Sequence, residues 1–343
     1  MYYNYNTIRT HNCIYNFILS NRGGGKTYGA KLLGIKDFLK TGEQFVYVRR
    51  YNSEFSNKNQ FFDDIIANEE FQGHEFTVKG YTGYCDGKVM CYFIPLSISQ
   101  KFKSTAYPLV TKIFYDEFII DKGVLKYLKN EVEIFNDLFE TIGRKRDNIN
   151  AFFMANNISL VNPYFTYFNL NVNPNKRFSK NKANTVVVEL FVDEDFVEEK
   201  LNTRFGQLIK DTNYGQYAIN NKSLRDNSAF IIPRPKTQMK FICSLKLDNL
   251  EIGVWKEIDG DIVYLDKKFN PNSRERYAIT KDNHTPQYNI ITKVKKLKVI
   301  DRLKLEYANN NLYFSSQEVK SIYYIICLNL IIIVYMILIW NLI

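Results

Sequence analysis

Apolar positions along the first half of the chain follow two alternating rhythms. Cys13 to Leu19 is a short apolar run, Ser20 to Lys26 a glycine-rich loop, and Thr27 to Leu39 carries apolar residues at helical spacing. The pattern predicts strand, loop and helix in that order. Glu43 to Arg49 holds Phe45, Val46, Tyr47 and Val48, a second buried strand, and Phe61 to Phe71 reads as a helix. Phe76 to Val78, Gly80 to Asp86 and Lys88 to Pro95, punctuated by Gly80, Gly83 and Gly87, predict an inserted β-meander. Lys112 to Tyr115 and Ala151 to Ala155 are further core strands, with Val124 to Thr141 as the helix between them. Strands alternating with helices predict an α/β domain with a parallel sheet and helical crossovers.

The rhythm changes beyond Asp193. Asp193 to Gly215 is charged and helical, and β-type segments begin at Phe230. Met239 to Asp248, Leu250 to Glu257 and Asp261 to Asp266 predict an antiparallel meander, with turn chemistry at Asp248-Asn249 and Asp259-Gly260. The organisation expected is an α/β domain over 1–192, a helical linker or lid over 193–228, a smaller α+β domain over 229–316 and an apolar tail over 317–343. Ile322 to Ile343 contains no charged residue and is long enough to cross a bilayer as a helix.

A length of 343 residues suits two domains. The 46 Lys and Arg against 36 Asp and Glu leave a formal charge of +10, which suits a polyanionic partner. Cys13, Cys85, Cys91, Cys243 and Cys327 are scattered without a C-x-x-C pair and histidines number three, which argues against a disulfide framework or a zinc site. The compartment reads as reducing. The N-terminus lacks the basic patch and apolar core of a signal peptide, so the cytoplasm is the expected location. The 25 Tyr and 26 Phe accompany abundant Ile, Asn and Lys, the signature of A·T-rich coding sequence, and carry no functional weight.

Chemistry is concentrated in Ser20-Asn21-Arg22-Gly23-Gly24-Gly25-Lys26-Thr27, which ends in the G-K-T of the P-loop signature. Glycines let consecutive backbone N–H groups turn inward around phosphates, a lysine reaches the β- and γ-phosphates, and the following hydroxyl ligates Mg²⁺. The cofactor-binding candidates are therefore Arg22, Gly23, Gly24, Gly25, Lys26 and Thr27, with ATP and Mg²⁺ as cofactors. Ser20 stands where the signature has its first glycine, but a plain glycine turn would not explain Lys26-Thr27 opening a helix. Ile113 to Tyr115 leads into Asp116 and Glu117. A carboxylate ending such a strand can hold Mg²⁺ beside a P-loop, the role given to Asp116, and Glu117 would polarise the attacking water. Arg144 and Arg146 flank Lys145 and read either as a solvated basic turn or as an arginine finger. Asn156 either senses the γ-phosphate or caps the next turn.

With these motifs the chain resembles the DNA-packaging motor ATPases of phi29-type tailed phages. The resemblance is carried by R-G-G-G-K-T at Arg22 to Thr27, G-E-Q-F-V-Y-V-R-R-Y at Gly42 to Tyr51, and A-Y-P at Ala106 to Pro108. It continues through Y-D-E-F at Tyr115 to Phe118, V-N-P-Y-F at Val161 to Phe165, T-R-F-G at Thr203 to Gly206 and G-V-W at Gly253 to Trp255. The resemblance implies a P-loop NTPase domain of the additional-strand, terminase-like type, followed by a degenerate RNase H-like domain without nuclease activity. It also implies a homomeric ring, usually of five subunits, docked on the capsid portal and translocating double-stranded DNA into the procapsid in the host cytoplasm. On that alignment Lys26 and Thr27 bind ATP and Mg²⁺, Asp116 and Glu117 are the Mg²⁺ and catalytic acids, and Arg144 is a finger acting in trans, with Arg146 as runner-up. Arg49 or Arg50 would join nucleotide sensing or the lid. Whether a structural packaging RNA is a partner stays open.

Asp248 and Asp266 fall on the meander and read as turn formers more readily than as metal ligands, so no cleavage activity is expected. Lys293 to Lys304, with six basic residues in an expected helix, and Lys176, Arg177, Lys180 and Lys182 are candidates for sequence-independent phosphate contacts. The apolar tail departs from the family pattern. It reads as a buried helix or an altered reading frame in preference to an anchor, because permanent membrane insertion would hinder docking on a capsid. The competing functions are a membrane-tethered P-loop ATPase acting as an assembly switch and a packaging terminase that retains nuclease activity.

Overall fold

Tyr15–Ser20 (β1) is buried along its whole length, as a strand must be when it has parallel neighbours on both edges and side chains packed over both faces. The computed structural model describes residues 2–120, 126–160, 162–168, 170, 172–173, 176–219, 230–247, 250–291 and 297–327. Two compact units divide the chain, Met1–Arg225 and Asp226–Ile343.

The first unit runs α1 (Asn6–Arg9), β1, α2 (Lys26–Thr41), β2 (Gln44–Arg49), α3 (Asp63–Ile66), β3 (Phe76–Lys79), β4 (Thr82–Cys85), β5 (Lys88–Pro95) and β6 (Val110–Asp116). It continues with α4 (Glu131–Gly143), β7 (Asn150–Asn156), α5 (Pro163–Tyr167), β8 (Phe178–Lys180), β9 (Val186–Phe191), α6 (Glu194–Leu201), α7 (Arg204–Ile209) and α8 (Asn213–Ala218). Among the described residues the sheet has nine strands in the order β3-β4-β5-β2-β6-β7-β1-β9-β8. From β5 to β9 all pairings are parallel, and antiparallel β3-β4 and β8 finish the two ends. The predicted meander at Phe76 to Pro95 is present. β7 lies between β1 and β6, which is the inserted strand that the additional-strand reading expects.

Alternate residues of these strands face opposite ways, so two cores form. Phe17, Tyr115 and Phe153 pack with Val132, Phe135, Leu138 and Ile142 of α4 on one face. Ile18, Phe45, Phe114 and Phe152 pack with Ala30 and Ile35 of α2 on the other. α2 approaches so closely that a Cβ on Gly34 would stand 2.5 Å from the Phe45 ring.

Two helix expectations are corrected. Phe61 to Phe71 is not one helix: it breaks into α3 and a 3-10 turn at Glu69–Phe71, because the Asn68 side chain accepts a bond from the Glu70 N–H and caps a new start. The helix expected from Val124 begins at Glu131, where Asn130 adopts φ +56° and blocks extension toward the N-terminus. Residues 121–125 lie outside the described residues.

The second unit contains β10 (Met239–Leu247), β11 (Leu250–Glu257), β12 (Val263–Asp266), β13 (Arg276–Ala278), β14 (Asn289–Ile290), α9 (Leu297–Ala308) and β15 (Leu312–Phe314). Its sheet order is β14-β13-β10-β11-β12-β15. β10, β11 and β12 form the expected antiparallel meander, while β13 joins β10, β14 joins β13 and β15 joins β12 in parallel. Residues 317–327 are helical. Val319, Ile322, Tyr323 and Ile326 are buried with Leu245, Val254 and Leu265, so the tail begins as a core helix. Residues 328–343 lie outside the described residues, and among the described ones no helix is long and apolar enough to cross a membrane.

Candidate active site

Four adjacent parallel strands, β2, β6, β7 and β1, end in Arg49, Asp116, Asn156 and Ser20. Parallel register puts these ends on one edge of the sheet, with Ser20 opposite Asn156 and Asp116 opposite Met154. The carboxyl edge of a parallel sheet is where α/β proteins assemble their sites.

The glycine loop leaves β1 and enters α2 at this edge. Gly23 and Gly25 adopt φ values of +92° and +69°, conformations that a side chain would strain and that the loop needs to turn its N–H groups inward. A Cβ on Gly24 would come within 3.1 Å of the Ser20 and Asn21 side chains. Lys26 Nζ donates to Ser20 Oγ at 2.7 Å, the Asn21 carbonyl at 3.1 Å and Asn156 Oδ1 at 3.2 Å. Ser20, the departure from the signature, is thus a lysine partner. Burial pushes the Lys26 ammonium down to about 8, with the charges of Asp116 and Glu117 opposing the shift.

Thr27 Oγ1 donates to Asp116 Oδ2 at 2.9 Å. A hydroxyl and a carboxylate at this spacing are hard oxygen donors that fit Mg²⁺, and the glycine cradle with Lys26 fits a polyphosphate. Asp116 Oδ2 also accepts from the Tyr47 hydroxyl at 2.5 Å and lies 3.5 Å from Arg49 Nη1. Arg49 Nη2 is 2.9 Å from Glu54 Oε1 and 2.7 Å from Glu117 Oε2. Burial lowers the Arg49 pKa, but Asp116, Glu117 and Glu54 outweigh it and hold the guanidinium above its usual range. Glu117 itself adopts φ +56°.

The structure therefore gathers Lys26, Thr27, Asp116, Glu117, Asn156 and Arg49 at one edge. Tyr47 and Glu54 were not among the expected residues. Tyr47 shares a strand face with Arg49 two positions on, a period-two signal that could have found it. Glu54 sits on a 3-10 turn, Asn52–Phe55, whose start it caps through Tyr51 N–H.

Further elements cover the loop. The Tyr5 hydroxyl donates to the Lys26 carbonyl at 3.0 Å. A Cβ on Gly23 would meet the Phe196 ring of α6 at 3.0 Å, and Lys200 Nζ reaches the Arg22 carbonyl at 3.4 Å. The Arg22 side chain is exposed.

Arg144 and Arg146 lie elsewhere. They follow α4 and precede β7, at the edge where β6 and β7 begin. Arg146 donates to the carbonyls of Tyr107, Val110 and Ile142 at 2.7 Å and of Pro108 at 3.0 Å, which ties it to the start of β6. Arg144 is exposed, adopts φ +50°, and its side chain has no hydrogen bond or ion pair among the described residues. Asp116 closes the far end of β6, a seven-residue strand spanning roughly 20 Å.

Of the candidate phosphate contacts, Arg177 is engaged by the buried Glu189 at 2.7 Å, and 293–296 fall outside the described residues. Asp266 pairs with Arg234 at 3.2 Å, while Asp248 is outside the described residues.

Residues 1–332 match the family model described as podovirus DNA encapsidation protein (Gp16). The DNA packaging protein of Bacillus phage phi29 is 36% identical over 324 residues, covering 94% of this chain and 96% of that protein. The phi29 chain in the structure described as the bacteriophage Phi-29 viral genome packaging motor assembly superposes with a TM-score of 0.78 at 35% identity, covering 96% of this chain and 99% of that one. The crystal structure of the N-terminal domain of the DNA packaging ATPase from bacteriophage phi29 matches with a TM-score of 0.53 at 40% identity, covering 57% of this chain and 98% of that domain. A family model that matches residues 1–332 and a relative 36% identical over nearly the whole length of both chains place the protein in one family: it belongs to the podovirus Gp16 DNA encapsidation proteins.

Proposed function

We propose that this protein is the ATPase of a viral DNA-packaging motor, which works as a homomeric ring, with five subunits as the family resemblance implies, to drive double-stranded DNA into a procapsid. The observation that carries this reading is the division of the chemistry between two edges of one sheet. Lys26, Thr27, Asp116, Glu117 and Asn156 meet at the carboxyl edge, while Arg144 stands free at the other, too far from its own P-loop to serve it. A finger so placed would act on a neighbouring subunit's nucleotide, a head-to-tail contact that gives identical sites around a ring when its rotation closes.

In that reading the N–H groups of Gly23 to Thr27 and the Lys26 ammonium hold the phosphates, and Thr27 and Asp116 hold Mg²⁺. The bound ion would neutralise charge on the β- and γ-phosphoryl oxygens. Glu117 orients and polarises the attacking water, Asn156 reports on the γ-phosphate through its bond to Lys26, and Arg144 of the adjacent subunit stabilises charge in the transition state. Arg49 must release Asp116 and Glu117 when the cation arrives.

The second unit is proposed as an RNase H-like domain without nuclease activity. Its order β12-β11-β10-β13-β14, an antiparallel meander extended by two parallel strands, supports that fold. On this sheet the Glu251 carboxylate is engaged by Arg276 at 3.0 Å, Ser244 and the Tyr288 hydroxyl at 2.7 Å, so it is already neutralised by a guanidinium. Double-stranded DNA, the capsid portal and, where the phage makes one, a packaging RNA are the partners, and the portal vertex of the procapsid in the host cytoplasm is the place of action. The burial of Ile322, Tyr323 and Ile326 supports reading the start of the tail as a core helix.

The test is ATP hydrolysis by the full chain with and without double-stranded DNA, for wild type, Lys26→Ala and Glu117→Gln. Stimulation by DNA with both variants inactive supports the motor. Turnover indifferent to DNA would favour a switch over a translocase.

A further inference from the structure

Arg50, the residue that follows β2, is buried and does not face the nucleotide site. Its side chain and that of Glu131, the first residue of α4, are 2% and 1% exposed. Arg50 Nε donates to Glu131 Oε2 at 2.7 Å and Nη2 to Oε1 at 3.0 Å. The same guanidinium donates to the carbonyls of Glu117 at 3.2 Å and Phe118 at 2.6 Å. Glu131 in turn accepts from the hydroxyls of Tyr115 at 2.9 Å and Tyr164 at 3.1 Å, and from Leu128 N–H at 2.9 Å.

We propose that Glu131 and Arg50 are a positioning pair for hydrolysis: the carboxylate fixes the guanidinium, and the guanidinium grips the two carbonyls of the turn that aims Glu117 at the water. This rests on the reading of Glu117 as the residue that polarises the water. A buried ion pair is weak evidence for stability, because desolvation offsets most of the Coulomb gain. Its value lies in geometry. Glu117 adopts φ +56°, a strained conformation for a residue with a side chain, which persists only where surrounding bonds over-determine it. Two donors from one rigid, planar group set the orientation of both peptide planes at that turn, which a lysine ammonium could not do. Tyr115, Tyr164 and Leu128 leave the carboxylate little freedom, so the clamp is referenced to β6, α4 and α5 together. Displacing a catalytic group by about 1 Å is enough to lower turnover ~100-fold.

The experiment separates aim from folding. In the full chain, Arg50→Met with Glu131→Gln removes both charges, fills similar volume and keeps an acceptor for the tyrosines. Thermal unfolding, kcat and KM for ATP are measured beside wild type and Glu117→Gln. The expected result is a midpoint within a few degrees of wild type, KM within about twofold, and kcat lower by ~100-fold. Wild-type kcat in the double variant, with Glu117→Gln inactive, would make the pair purely structural and overturn the positioning role alone. If Glu117→Gln hydrolyses ATP normally, the role of Glu117 fails and the inference falls with it. Should the double variant unfold, Arg50→Lys is scored the same way, and an unchanged kcat in that folded protein overturns the proposal.

Discussion

Arg49 Nη2 lies 2.7 Å from Glu117 Oε2, and the same guanidinium is 3.5 Å from Asp116 Oδ2 and 2.9 Å from Glu54 Oε1. One cation thus serves three carboxylates at the edge where the phosphate loop ends. Two of them are the acids through which hydrolysis is proposed to run. The arrangement implies competition, since a divalent cation entering between Thr27 and Asp116 meets a carboxylate already neutralised by an arginine.

Replacing Arg49 by Gln leaves those carboxylates facing one another, at a cost of about 2–3 kcal/mol in folding stability given their partial exposure. Magnesium should restore much of that loss. Thermal unfolding of wild type and Arg49→Gln in chelator and in Mg²⁺ checks this, with a larger Mg²⁺-induced rise expected for the variant. Equal rises would show that arginine and metal do not share a place.

Lys26 sets a pH dependence for nucleotide binding. Burial pushes its ammonium down to about 8, whereas a bound polyphosphate favours the charged form and raises it. Below about pH 8 the free protein already carries the proton and affinity is flat. Above it, binding must take up a proton, so affinity weakens toward tenfold per pH unit. Titration with ATP from pH 7 to 9.5 measures the slope; an affinity that is constant through pH 9 would mean that Lys26 remains protonated without ligand.

Much of this site is legible in the chain. The G-K-T loop, the apolar run into Asp116-Glu117 and the strand ending at Asn156 have local signals, and parallel topology does the rest by bringing strand ends together. What the chain conceals is long-range. Val186–Phe191 is a core strand with a buried Glu189, tolerated because Tyr3 and Arg177 meet its carboxylate. Neither partner can be inferred from the strand itself. Arg49 and Arg50 are adjacent and look equivalent, yet the last residue of β2 reaches the acids of the site and the next, in the bend after the strand, turns into the core with Glu131. Arg144 and Arg146 divide in the same way, one exposed and one bonded to four carbonyls.

Gly29 provides a test of the N-terminal segment. Ala is ordinarily favoured over Gly in a helix by about 1 kcal/mol, but a Cβ here would stand 2.3 Å from the Tyr3 carbonyl and 3.2 Å from the Tyr5 ring. Overpacking against backbone should make Gly29→Ala destabilising by about 1–3 kcal/mol. Because the Tyr5 hydroxyl bonds to the Lys26 carbonyl, KM for ATP should rise as well. A higher unfolding midpoint would mean that Tyr2 to Tyr5 do not pack on α2.

Arg144 and Arg146 make opposite predictions although they are two residues apart. Arg146→Ala strips donors from the carbonyls of Tyr107, Pro108, Val110 and Ile142 and should cost about 2–3 kcal/mol of stability. Arg144 has no such bonds and sits at φ +50° and ψ −113°, a conformation glycine adopts without strain. Arg144→Gly should therefore raise stability by about 1 kcal/mol while lowering kcat by ~10³-fold or more, about 4 kcal/mol of barrier. A side chain whose removal improves folding and abolishes turnover is retained for chemistry. Mixing decides where it acts: Glu117→Gln subunits keep Arg144, and Arg144→Gly subunits keep Glu117, so hydrolysis absent from each alone should return when they are combined. If the mixture stays inactive while each variant still assembles, the arginine does not work across an interface.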